Sequence, residues 1–207
     1  MEIKNIFKII EKLNPILFEL NSKNMIFKNI KPENIFIVNN NGNLDDNFEI
    51  ILSDCCNANL FIYNQNNKNF NFLKNIAPEI NKRLGIDRKS DIWSLGQLFL
   101  CMLFPKHLTN EEFDFEFFNY IKNEEFKNFI LGLVEKDLKL RTTWEQYFEN
   151  FTKLKNEISN KVYDDIIDLT KIQSINILFQ PITDFSNIII LLTELSKKEY
   201  VNWHFIS

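Results

Sequence analysis

The chain has 207 residues, 45% hydrophobic and 25% charged, with a net charge of −4. That length holds one ordinary domain and a small appendage, the composition is globular rather than disordered, and the charge gives no general pull towards nucleic acid or anionic membranes. Cys55, Cys56 and Cys101 form no disulfide or ligand pattern, and two histidines are too few for a histidine-rich metal centre. The charged N-terminal stretch does not read as a signal peptide, and the apolar run near Leu95–Phe104 is too short to span a bilayer. A cytoplasmic protein with no membrane and no nucleic-acid partner is expected.

Ile6, Phe7, Ile10, Leu13, Leu17 and Leu20 recur at helical spacing, which predicts an amphipathic first twenty residues. Pro15 either interrupts that helix or opens a second one capped at Asn14. Ile35–Val38 and Phe48–Leu52 are β-rich runs flanking the turn Asn39–Asn43, which predicts a hairpin. Asn57–Asn75 is polar and reads as a long loop. Asp91–Leu103 is apolar on nearly every side, so its helix belongs in the middle of a domain. Further helices are expected at Glu111–Ile121, Glu124–Glu135 and Thr143–Lys155. The cluster Phe113, Phe115, Phe117 and Phe118 reads as core, with a partner-binding patch as the alternative.

The tail follows another pattern. Ile172, Ile175 and Ile177 are matched 28 positions later by Tyr200, Trp203 and Phe205, with Phe185, Ile188, Leu192 and Leu195 on one helical face between them. A strand and helix at that period is the signature of a leucine-rich repeat of the ribonuclease-inhibitor type. With little more than one period present, coincidence competes with a true repeat.

Several short motifs stand in order along the chain. Phe27-Lys28-Asn29-Ile30-Lys31-Pro32-Glu33-Asn34 resembles the catalytic loop of eukaryotic-type protein kinases, usually HRDLKPEN. Twenty residues after Asn34, Leu52-Ser53-Asp54-Cys55-Cys56 stands in the place of the DFG metal-binding motif. Ala77-Pro78-Glu79 matches the APE motif, Asp91-Ile92-Trp93-Ser94-Leu95-Gly96 matches the start of the buried central helix, and Arg141 falls where that family keeps the arginine paired to the APE glutamate. The resemblance covers roughly residues 6–155 and only the C-terminal lobe. It implies a mainly α fold, a kinase-like C-lobe with a small β-hairpin over 1–157. A linker and a short α/β leucine-rich-repeat-like tail are expected over 158–207.

The same resemblance assigns roles. Asn34 and Asp54, brought together by the hairpin, would share a divalent cation and contact the nucleotide. Lys31 belongs to the catalytic loop. Glu79, Arg141 and Asp91 are expected to be structural, with Asp91 accepting backbone N–H bonds from the loop.

The pattern also has breaks. Asn29 replaces the catalytic aspartate, and an amide has essentially no basicity near neutral pH. Lys28 replaces an arginine and lacks its bidentate grip. Phe27 replaces a histidine, Cys55 and Cys56 replace the last two residues of DFG, and Phe72 and Asn75 replace the usual threonine and tyrosine before Ala77. Between Asp54 and Glu79 there is no Ser or Thr to phosphorylate, only Tyr63. The glycines are Gly42, Gly85, Gly96 and Gly132, so this sequence contains no glycine-rich phosphate loop, and the N-lobe is expected to be absent.

The expected function is a catalytically inactive, kinase-like interaction or scaffold module with a protein partner. The surface around Phe27, Ile35 and Cys55 is the candidate docking face. No cofactor is expected for the chain as given, with Mg and ATP entering only if an N-lobe is supplied. The alternative is a Ser/Thr protein kinase fragment; a decaying gene product with no folded role is the third reading.

Overall fold

The computed structural model describes residues 3–38, 48–53, 76–82, 85–104, 115–158, 161 and 163–168. Helix α1 (Ile3–Ser22) is followed by a 3₁₀ turn at Pro32–Asn34 and by strands β1 (Ile35–Val38) and β2 (Glu49–Leu52). Then come helices α2 (Pro78–Asn81) and α3 (Lys89–Leu103), and a 3₁₀ helix at Phe115–Tyr120. Helices α4 (Glu124–Leu133), α5 (Trp144–Ile158) and α6 (Tyr163–Ile166) complete the set. The described residues are mainly helical with one small antiparallel sheet, which suits the expected helical lobe.

Helix α1 runs through Pro15 without a break. The carbonyl that loses its donor belongs to Glu11, and both residues are on the exposed side, where solvent can take the donor's place. The buried stripe Ile6, Phe7, Ile9, Ile10, Leu13 and Leu17 holds the helix on the core across the proline. The helix stops in a Schellman motif. Asn24 adopts φ 54°, its N–H donates to the Asn21 carbonyl at 3.0 Å, and the Met25 N–H donates to the Leu20 carbonyl at 2.9 Å.

In the hairpin Ile35 pairs with Leu52, Phe36 with Ile51, Ile37 with Ile50 and Val38 with Glu49. The alternation of the pleat turns Ile35, Ile50 and Leu52 towards the core and leaves Phe36, Val38 and Ile51 exposed at 42%, 42% and 51%. Helix α3 is buried almost end to end, from Ser90 to Leu103. It packs closely on α4 because position 96 has no side chain. A Cβ on Gly96 would lie 2.6 Å from Val134 Cγ1 and 2.9 Å from Leu133 Cβ.

Helix α4 starts at Asn123, whose side chain accepts the Phe126 N–H at 2.8 Å. Its end at Leu133 falls short of the expected Glu135, because the Glu135 carbonyl is turned to accept Nε of Arg141 at 2.8 Å. Helix α5 opens with a capping box in which Gln146 N–H donates to Thr143 Oγ1 and Thr143 N–H to Gln146 Oε1.

An α-helix was expected at Glu111–Ile121; the described part is instead the 3₁₀ helix ending at Tyr120. Neighbours Phe117 and Phe118, and Tyr120 and Ile121, are all buried, a demand that a single α-helical stripe does not meet.

The core is strongly aromatic. Phe7 contacts Phe126 and Phe151 at 5.9 and 5.5 Å between centroids, and Phe99 meets Phe129 edge-on at 5.6 Å. Past α5 the described residues stay on this body: Ile158, Ile166 and Ile167 are all buried in the core. The leucine-rich-repeat reading rests on residues 172–205, which lie outside the described residues. No helix among the described residues is long and apolar enough to cross a membrane.

Candidate functional site

The loop Phe27–Asn34 is fixed from below by one carboxylate. Asp91, in the first turn of α3 and 3% exposed, accepts the Phe27 N–H on Oδ2 at 2.6 Å and the Lys28 N–H on Oδ1 at 2.7 Å. Burial pushes the Asp91 carboxyl up to about 6 against the pull of those two amides and of the Lys28 charge. It is therefore ionised at neutral pH, the state in which both oxygens act as acceptors. Lys28 has φ 67°, a left-handed conformation uncommon for a side chain of this kind, and it is one of the two residues whose amides meet Asp91. Phe27 is buried, so an aromatic ring fills the core position that the resemblance gives to histidine.

The rest of the loop is held by its own backbone. The Asn34 side chain donates through Nδ2 to the Asn29 carbonyl at 2.9 Å, and the Asn34 N–H donates to the Lys31 carbonyl at 3.0 Å. Asn29 and Lys31 are half-buried, whereas Asn34 is 3% exposed. Across the hairpin the Ser53 N–H donates to the Asn34 carbonyl at 2.9 Å, so the chain at Ser53 runs directly beside Asn34. Asp54, the next residue, lies outside the described residues, as do Cys55, Cys56, Tyr63, Phe72 and Asn75. On Asn34 the amide oxygen is not engaged in the bond to Asn29 and has the hard-donor character a magnesium ion would need. Among the described residues no three His, Cys, Asp or Glu side chains group together.

A second constellation locks the far end of the segment. Arg141 grips Glu79 bidentately, with both N–O distances 2.8 Å and the guanidinium fully buried. Ser90 adds a hydrogen bond to Glu79 Oε1 at 2.7 Å. Burial alone would raise the Glu79 carboxyl, but the bonds from Arg141 and Ser90 outweigh it and hold the group below its ordinary value. Arg141 also donates to the carbonyls of Lys89 and Glu135 and lies 5.4 Å from the Trp93 ring centre.

Ser90 and Lys89 were not anticipated. The Lys89 ammonium donates to the carbonyls of Leu138 and Arg141 at 3.0 and 2.8 Å, which ties α3 to the same knot. Nothing in the string Lys89-Ser90-Asp91 announces either role, because both partners are distant in sequence.

Two of the positions named for a docking face, Phe27 and Ile35, are 3% and 5% exposed and cannot serve. The pleat that turns Ile35 inward turns Phe36 outward.

No curated protein matches the chain. A family model, that of the protein kinase domain, matches residues 2–151. The loop on Asp91, the pair Glu79–Arg141 and the hairpin beside Asn34 all fall inside that span, and on this match the chain belongs to the protein kinase domain family.

Proposed function

We propose that this kinase-family chain has lost phosphotransfer and acts as an interaction or scaffold module for a protein partner. The observation that carries the reading is Asn29, at the position where the family's catalytic loop has its aspartate. A carboxylate there accepts the proton of the attacking hydroxyl; the amide of Asn29 has no basicity to do so. The surrounding loop is nevertheless kept in order by Asp91 and by the Asn34–Asn29 bond, as expected of a scaffold retained without its reaction.

Mg and ATP are outside the proposed function. If they were held, Asn34 and Asp54 would be the cation ligands, and the cation would neutralise phosphate charge. The outward face of the hairpin, with Phe36 and Ile51 directly opposite one another, supports a contact role.

Two measurements test the proposal. Thermal unfolding with and without Mg-ATP should give the same midpoint, whereas clear stabilisation would revive nucleotide binding and the Ser/Thr kinase alternative. Asn29→Asp should transfer no labelled phosphate to protein substrates; transfer by that variant, with contaminating kinases excluded, would count against the proposal.

A further inference from the structure

A cavity of about 440 Å³ opens between α2, the loop before α3 and the turn that follows α4, within the size range of ligand pockets. Its charged groups are not equivalent. Glu79, the buried member, gives both carboxylate oxygens to Arg141 and one of them also to Ser90. Asp87 and Asp137 are each turned to the main chain, accepting the N–H groups of Lys89 and Lys139 at 2.8 and 2.9 Å. The exposed side chains of Lys82, Lys136 and Lys139 line the same cavity, and the ammonium groups of Lys82 and Lys139 bond to no described residue. An incoming ligand therefore meets acceptors that are already engaged and cationic donors that are not. Pro78, Ile86 and Leu138 give the cavity an apolar part, and Ile86 is 41% exposed. The space beside Gly85 is open, since a Cβ there would meet no atom within 4 Å.

We infer that this cavity is a docking groove for an acidic peptide segment of a partner protein. Carboxylates of that segment pair with Lys82 and Lys139, and an apolar side chain between them rests on Ile86. Exposed lysines alone give a weak attraction that salt screens, so the apolar contact is what makes the place specific. The inference goes beyond the interaction role proposed above and does not depend on the loss of phosphotransfer. Stabilisation by Mg-ATP would sink that reading and leave this one standing.

The test titrates the full chain into a fluorescein-labelled peptide of alternating glutamate and leucine, whose anisotropy should rise to saturation. Lys82→Glu together with Lys139→Glu should weaken binding at least about tenfold, because two attractions become repulsions. Lys139→Gln alone, a milder change, should weaken it about two- to threefold. Ile86→Ser should weaken it about threefold through the lost apolar contact. Lys4→Glu, at the far end of α1 from the Asn21 and Asn24 side chains that hold Arg88, should leave binding within about twofold of the native chain. All these side chains are exposed, so unchanged urea midpoints verify that the variants fold. The inference is overturned if the native chain does not bind the peptide, or if the folded double variant binds it as well as the native chain does. It is equally overturned if Lys4→Glu weakens binding as much as the double variant, if Ile86→Ser has no effect, or if a peptide of alternating lysine and leucine binds equally well.

Discussion

Arg141 connects three stretches of chain through one guanidinium: Glu79 at the end of the activation-segment region, Lys89 at the start of α3 and Glu135 after α4. Truncating it strands the Glu79 carboxylate in a buried site, so Arg141→Ala should cost about 3–5 kcal/mol in urea unfolding. Arg141→Lys should recover only part of this, since an ammonium cannot make the paired bonds. Asp91 offers a test of a different sign. Its folded pKa, about 6, is raised above the unfolded value, so its contribution to stability is largest in acid and is lost as pH rises through 6. The cost of Asp91→Asn should therefore be larger at pH 5 than at pH 7 by roughly 1 kcal/mol. Equal costs at the two values would mean that the Phe27 and Lys28 amides offset burial in full. Glu79, held low, behaves oppositely: its contribution is present above the ordinary carboxylate value and is lost as the pH falls from there through the lowered folded value. At this scale the sequence was legible where a motif names both partners, as for Glu79 and Arg141. It was silent on Ser90 and Lys89, whose partners are made by the fold alone.

Among the elements, the spacing of α3 and α4 depends on the bare backbone at Gly96. Gly96→Ala gains helix propensity worth about 1 kcal/mol, yet drives a methyl into Leu133 and Val134. Because the clash involves a Cβ and a branched methyl rather than a flexible tip, we expect net destabilisation of about 1–3 kcal/mol, measured as a lower urea midpoint with an unchanged slope. Helix α1 was readable from apolar periodicity and α3 from being apolar on nearly every side, and the Thr143–Gln146 capping box was in the sequence to be found. Pro15 was ambiguous because a proline's effect depends on whether the orphaned carbonyl reaches water, and only burial decides that. The 3₁₀ helix at Phe115–Tyr120 was not readable, since tertiary packing of adjacent aromatics overrode the local preference. The hairpin was legible as strands, but which of its faces looks outward is set by packing against the rest of the fold, and that packing turns Ile35 inward and Phe36 outward.

At the scale of the whole molecule, the first and last long helices among the described residues are fastened together. The Tyr147 hydroxyl, fully buried on α5, donates to Asn14 Oδ1 on α1 at 2.6 Å, and Lys155 pairs with Glu11 nearby. Burial raises the Tyr147 pKa, so the phenol remains a donor across the working pH range. Tyr147→Phe should lower stability by about 1–2 kcal/mol, read from chemical unfolding, because Asn14 loses its donor in a partly buried site. The arginine knot has a kinetic corollary. Its bonds span 62, 52 and 6 residues of sequence, so two of them close long loops and form only after the local helices exist. Contacts completed late leave folding speed nearly untouched and set instead how long the native state survives between openings. On that view the Glu79–Arg141 pair is less a builder of the lobe than its latch, and damage there shortens the lifetime of a molecule that still assembles on time.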